Sequence, residues 1–278
     1  MPPLRLAVVG HVEWVSFVMV ERLPSAGQIQ HALETLEQPA GGGAVVAAQF
    51  SRLTNQPVAL YTALGRDALG ERAAAELGAM GLELHVAWRE SPTRRAITFV
   101  EASGERTITV IGERLAPVAS DPLPWAELAG CDGVFVTAAD EAALRLARRA
   151  RVLAATPRVR LPVLQAAAVE LDALIGSARD PGESYQDGDL CPAPRIYVAT
   201  EAEQGGFTVP GGRFRAIERR HPPVDAYGAG DSFAAGFTAG LAAGWERPEA
   251  LALAVRCGAA ALDGRGAYAS QWGEPRPR

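Results

Sequence analysis

The chain contains no lysine, so all 27 of its basic residues are arginine. It also holds a single asparagine, Asn55. Without lysine there can be no Walker-type GxxxxGK[ST] phosphate loop. Phosphate chemistry in this chain must therefore use arginine, backbone N–H groups or a metal, although compositional bias alone accounts for the arginine usage. Cysteine is scarce: Cys131, Cys191 and Cys257 are odd in number, widely spaced and form no CxxC. That pattern argues against both a disulfide framework and a zinc site, and for a reducing, cytoplasmic compartment. No apolar run approaches the roughly 20 residues that span a bilayer. The opening MPPLRLAVVG reads as a strand and not as a signal peptide. A formal net charge of −5 disfavours a nucleic-acid backbone as partner. The expectation is a cytoplasmic protein with neither membrane nor nucleic acid as partner.

What is present points to one large α/β domain. The 278 residues are 48% hydrophobic and 21% charged, ordinary for a globular chain with a sizeable core. Short apolar strands are expected at Leu4–Val9, Val58–Leu64, Val134–Val136, Leu161–Leu164, Leu171–Ile175 and Ile196–Val198. Helical spacing covers Ala44–Leu53, Ala68–Met80 and Glu141–Leu153, with Gly81 ending the second. Strands alternating with helices imply a mostly parallel sheet covered on both faces. One stretch breaks the rhythm. Arg95–Val100 and Arg106–Ile111 alternate around the turn ASGE, a hairpin without a helix, and Val15–Val20 is also strand-like. These pieces are expected to form a small β lid from residues 14–40 and 89–111, leaving 1–13, 41–88 and 112–278 as the main domain. The Pro- and Arg-rich tail from Gly273 is expected to fray.

The stretch DAYGAGDSFAAGFTAG, residues 225–240, carries the chemistry. Phe233, Phe237 and Leu241 form one ridge of the helix that follows, while Gly236, Gly240 and Gly244 leave a second face bare for close packing. Gly228, Ala229 and Gly230 are placed ahead of that helix, where their N–H groups and the helix dipole would converge into an anion hole. Asp231 at the same mouth is either a helix cap or a base. A carboxylate repels a static anion, but it suits a hydroxyl that must lose a proton while attacking a phosphoryl group held by the amides.

DAYGAGDSFAAGF resembles the C-terminal signature of the ribokinase-like sugar kinases, the PfkB family, usually written D-T-x-G-A-G-D-x-F. LAVVG, PAGGGAVVAAQFSRL, ALGRDALGERAAAEL, GERTITVIG, VATEAEQGG and GRGAYAS resemble further family segments in the family order. The resemblance implies a three-layer α/β/α sandwich with a β lid, ATP as donor, Mg²⁺, and transfer to an alcohol of a sugar or nucleoside. Asp231 would be the base, and Gly228, Ala229 and Gly230 the anion hole. Thr200, Ala202 and Gly205 would meet the ATP phosphates, and Val255 and Ala259 would flank adenine; core packing is an equal reading of the last two. Gly41, Gly42 and Gly43 would let the acceptor approach the backbone, unless they merely open a helix. Asp225 would hold the loop, in relatives often through a monovalent cation such as K⁺ shared with 264–267. Relatives often dimerise through the lid sheet.

The pattern is incomplete. Where ribokinases place a sugar-gripping aspartate, this chain has Val15; nearby Glu13 is either its substitute or a solvated strand-end acid. Val45 stands at the asparagine position, and the N-x-x-E motif falls on Ser177 and Asp180, which makes Asp180 the candidate Mg²⁺ residue. Arg94 and Arg95, at the foot of the hairpin, either form a solvated pair or reach a charged acceptor such as a sugar phosphate or acid, and Arg95 is taken as the candidate substrate contact. Lost polar grips suggest an acceptor other than ribose. The readings carried forward are a carbohydrate kinase, a nucleoside kinase of the same fold, and a catalytically weak binding or regulatory relative.

Overall fold

Alternation along the first strand decides the layers. A computed structural model describes residues 1 and 3–273; Pro2 and 274–278, most of the tail expected to fray, lie outside the described residues. In β1 (Leu6–Val9), Val8 joins the core on one face with Leu60 and Phe135, while Ala7 and Val9 join the other with Val134 and Val136. Successive side chains of a strand point to opposite faces, so a strand apolar throughout must be covered on both. After β1 come β2 (Glu13–Met19), β3 (Glu34–Ala40), α1 (Gly42–Thr54), β4 (Val58–Gly65), α2 (Ala68–Ala79), β5 (Leu82–Arg89), β6 (Arg95–Val100) and β7 (Arg106–Ile111). Then follow β8 (Gly133–Val136), α3 (Glu141–Ala147), β9 (Val152–Ala155), α4 (Leu161–Ala167), β10 (Ala173–Ser177) and β11 (Tyr197–Thr200). The chain closes with β12 (Gly206–Val209), β13 (Gly212–Phe214), α5 (Ala229–Ala242) and α6 (Arg247–Ala261).

The large sheet has nine strands in the order β13-β12-β11-β10-β9-β8-β1-β4-β5, parallel from β11 to β5. The chain leaves β1 first toward β4 and β5, then returns to its other side through β8. That reversal opens a crevice beyond the carboxyl ends of β1 and β8, where open α/β sheets bind ligands. The second sheet has the order β3-β2-β6-β7, with β2 and β6 parallel. Among the described residues no helix is long and apolar enough to cross a membrane.

The bare face of α5 is packed as expected at Gly236 and Gly240, whereas Gly244, at φ 76°, lies beyond the helix and a Cβ there would meet nothing within 4 Å. A Cβ at Gly236 would lie 2.8 Å from Ala254 Cα, and one at Gly240 would lie 2.7 Å from Ala250 Cα. Glycine here lets α6 approach at backbone distance. Three expectations are corrected. Leu161–Leu164 is not a strand but the start of α4, because Pro162 in a first helical turn suits a helix. Helix Glu141–Leu153 stops at Ala147: Arg148 donates to the carbonyls of Ala150, Arg151 and Glu170 and to Asp172, turning the chain into β9. Ala229 and Gly230 do not precede α5 but form its first turn, with Gly228 at the cap position in a left-handed conformation, φ 73°.

Candidate active site

Two glycine segments far apart in sequence meet at the crevice. A Cβ built on Gly42 would lie 2.9 Å from Asp231 Oδ1, 3.3 Å from Thr137 Cγ2 and 3.5 Å from His11 Cε1. Only glycine at this position leaves the carboxylate its room. His11 follows β1 and Thr137 follows β8, so both sit at the carboxyl ends that flank the reversal. The His11 N–H donates to Thr137 Oγ1 at 3.3 Å.

Asp231 is the third residue of α5 and makes no side-chain hydrogen bond among the described residues. It is therefore not the helix cap, a place taken by Gly228. The N–H groups of Gly228, Gly230 and Asp231 have no acceptor among the described residues, and that of Ala229 reaches Ala226 O only at 3.5 Å. A Cβ at Gly230 would meet nothing within 4 Å. Free amides at a helix start, facing open space, are an anion-binding arrangement. Burial pushes the Asp231 carboxyl up to about 6, with Glu183 adding to the rise and Arg106 and Arg158 opposing it. A carboxyl in that range can be ionised at neutral pH and still accept a proton. His11 is held down to about 3 by burial and by Arg114, Arg94 and Arg158, so it stays neutral.

One flank of the crevice is built around Glu13, buried at the start of β2. Its Oε2 lies 3.0 Å from Arg94 Nε, and burial raises its carboxyl against the pull of Arg94 and a Tyr227 hydrogen bond. The Gly41 N–H donates to Tyr227 Oη at 3.1 Å, and Tyr227 packs edge-on against Phe17 of β2 at 4.9 Å. Tyr227 so ties the glycine-acid turn to the small sheet. Asp67 fixes the approach to Arg94 by accepting from Thr93 N at 2.7 Å and Thr93 Oγ1 at 2.8 Å. Arg95 is exposed; in a strand the next residue faces away, and it is Arg94 that reaches the site. Val15 and Val45 are wholly buried core residues.

On the other flank Thr200 ends β11, and its Oγ1 donates to Gly176 O at 3.3 Å. Ala202 has φ 53°, the left-handed region that glycine occupies most freely. A Cβ on Gly205 would lie 2.1 Å from Phe214 O. Phe214 stacks on Phe233 of α5 at 5.7 Å, and Phe233 in turn faces Gly258 of α6. The turn after β11, the start of α5 and the end of α6, where Val255 and Ala259 lie half-buried, are thus linked through one stack.

The acids do not form a metal cage. Asp180 caps a short turn by accepting from Gly182 N at 2.8 Å, and it pairs with Arg158. Arg158 Nε donates to Glu183 Oε1 at 2.8 Å, while Glu183 Oε2 accepts from Ser177 N at 2.7 Å. Among the described residues no group of three or more His, Cys, Asp or Glu could hold an ion. A protein-held Mg²⁺ does not fit Asp180 as it stands. Asp225 is fully buried, and its two oxygens accept from Tyr227 N at 2.8 Å and Gly266 N at 2.9 Å, joining the turn to the C-terminal loop.

Sequence reasoning missed His11, Thr137, Tyr227, Arg158 and Glu183. The signal for the first two was position alone, directly after short apolar strands.

A family model described as pfkB family carbohydrate kinase matches residues 4–179 and 192–273. A ribokinase of Arabidopsis thaliana is 32% identical over 115 residues, a stretch covering 40% of this chain and only 30% of that relative. Solved structures are similar over nearly the whole chain. A putative ribokinase from Agrobacterium tumefaciens aligns with a TM-score of 0.79 at 18% identity, covering 97% of this chain and 94% of the other. Arabidopsis thaliana ribokinase complexed with ribose and ATP gives 0.75 at 19%, covering 97% and 96%. Adenosine kinase from Sinorhizobium meliloti gives 0.74 at 18%, covering 96% and 98%. With a family-model match along most of its length and a fold shared with solved ribokinases, the chain belongs to the PfkB family of carbohydrate kinases.

Proposed function

We propose that this protein transfers the γ-phosphoryl group of ATP to an alcohol of a sugar-like small molecule, with Asp231 as general base. The observation that carries the reading is the Asp231 carboxylate, unbonded and raised to about 6, beside the free amides that open α5. The acceptor hydroxyl lies beside the Asp231 carboxylate and gives it its proton as the hydroxyl oxygen bonds to phosphorus. The bond from phosphorus to the bridging oxygen of ATP breaks, and ADP leaves with the electron pair. The N–H groups of Gly228, Ala229 and Gly230 hold the charge spread over the transferring oxygens, an electrostatic contribution of about 10²–10³ per donor in comparable sites.

ATP lies along Thr200, Ala202 and Gly205 with its base toward Val255 and Ala259. The acceptor lies along Glu13, Arg94 and Gly41–Gly43. The small sheet closes over the acceptor, and Tyr227 couples that closure to the turn holding the amides. Asp225 anchors the same turn; as a buried carboxylate without an ion-paired side chain among the described residues, it suits a neighbouring monovalent cation.

A panel of sugars, sugar acids, sugar phosphates and nucleosides with ATP and Mg²⁺, read as ADP release, tests the proposal. ATP-dependent turnover of at least one acceptor is expected. Tight acceptor binding without turnover of any compound would instead make the chain a binding or regulatory relative, and turnover of nucleosides alone would move it to the nucleoside kinases.

A further inference from the structure

A cleft of about 900 Å³ has four arginines in its lining, Arg94, Arg114, Arg158 and Arg160, together with one acid, Glu113. Two reach it from the ends of the small sheet, Arg94 just before β6 and Arg114 just after β7. Two reach it from the large sheet, on the loop between β9 and α4. Arg94 is neutralised by Glu13, and Arg158 by Asp180 and Glu183. Arg114 and Arg160 make no side-chain hydrogen bond or ion pair among the described residues. We propose that this cleft holds the anionic group of the acceptor, so that the alcohol phosphorylated belongs to a sugar phosphate or a sugar acid. The inference rests on the kinase reading above and names its substrate class.

The cleft is set against itself electrostatically. Burial draws the Arg114 guanidinium down, and Arg160, Arg94 and Arg158 draw it further, with Glu13 opposing them. A partly buried guanidinium surrounded by like charges lacks the counter-charge its environment requires. Burial first, and then three of the same arginines, hold His11 neutral, so their field extends to the crevice where Asp231 lies. Arginine presents a planar fork that matches carboxylate and phosphate oxygens two at a time.

Backbone geometry adds an independent observation. Arg160 has φ 86° and ψ 126°, a conformation that residues with a Cβ rarely adopt. Non-glycine residues in such conformations cluster at ligand sites. Arg160 directs its chain into the cleft from this strained position, immediately before α4. The volume lies within the range of small-molecule sites. An anion here would bridge the two sheets, drawing Arg94 and Arg114 toward Arg158 and Arg160 as the small sheet closes.

The test compares matched acceptors that differ in charge: fructose with fructose 6-phosphate, ribose with ribose 5-phosphate, and glucose with gluconate, all by ADP release. For at least one pair the anionic member should exceed its neutral partner by about a hundredfold in kcat/KM, in line with two lost charge-assisted hydrogen bonds. Arg114→Gln should cut that kcat/KM roughly tenfold or more, through KM. The KM for ATP should stay within about twofold, since the nucleotide lies on the opposite flank. Arg160→Gly should weaken the same acceptor while thermal unfolding shows an unchanged or raised Tm, separating the site from the fold. The phosphate and carboxylate pairs report which anion is held. Preference for neutral members would overturn the inference and leave the kinase reading standing, and a rise in the KM for ATP in Arg114→Gln would reassign the arginines to the nucleotide. If no compound turns over although ATP binds, the kinase reading fails. Calorimetry with the same pairs then decides the anion site: binding of an anion lost in Arg114→Gln sustains it, and no anion-selective binding overturns it.

Discussion

Replacing Asp231 by Asn removes the charge and the base while keeping size, and it should move activity and stability in opposite directions. The folded carboxyl is raised from 3.8 to about 6, so above pH 6 it is ionised in both folded and unfolded states and the folded state carries the penalty of burying it. Roughly two units at about 1.4 kcal/mol each give about 3 kcal/mol. Asp231 is only partly buried, so solvent screening reduces the expected gain in Asp231→Asn to about 1–3 kcal/mol at pH 7.5. As pH falls from about 6 to below 3.8 the carboxyl becomes protonated in both states, the penalty fades, and variant and parent should converge. Urea unfolding across pH 4 to 8, with ADP release on the same preparations, measures both quantities. The rate should fall by about 10²–10⁴, the usual contribution of a general base. A variant less stable than its parent at every pH would show that the carboxylate holds the fold together. Activity within tenfold of the parent would remove Asp231 from the chemistry.

The same ionisation sets the pH profile. The acid limb of kcat/KM should follow a single proton with its midpoint near 6, because His11, held near 3, contributes no titration there; a midpoint near 4 would mean that the carboxylate is fully solvated. Gly240→Ala puts a Cβ 2.7 Å from Ala250 Cα and should cost about 1–3 kcal/mol, lowering Tm by several degrees. Gly78→Ala on α2, where a Cβ meets nothing within 4 Å, should raise Tm by helix propensity alone, so equal effects in thermal unfolding would contradict the packing account.

Several features were legible in the residue order. The strand-and-helix alternation, the hairpin at Arg95–Ile111, the close-packed glycines of α5 and the GAGD turn are local patterns, set by hydrophobic period and by which positions lack a Cβ. Errors fell where local pattern is silent. Short runs such as LPVL fit a strand or a helix equally, and Arg148 ended α3 by bonding to carbonyls that come close only in the folded chain. β3, whose sequence is ETLEQPA, shows no apolar run, since its pairing with β2 comes from backbone hydrogen bonds.

By itself the sequence determined the family, the layered fold and the acid at the mouth of α5, because these reside in motifs of a few contiguous residues. Only the tertiary structure brought Gly42 against Asp231, chose Arg94 over Arg95, spent Asp180 on an arginine and gathered four guanidiniums around one cleft. Those outcomes depend on where the carboxyl ends of distant strands arrive, on strand register and on burial. None of these is written in the spacing of any one segment.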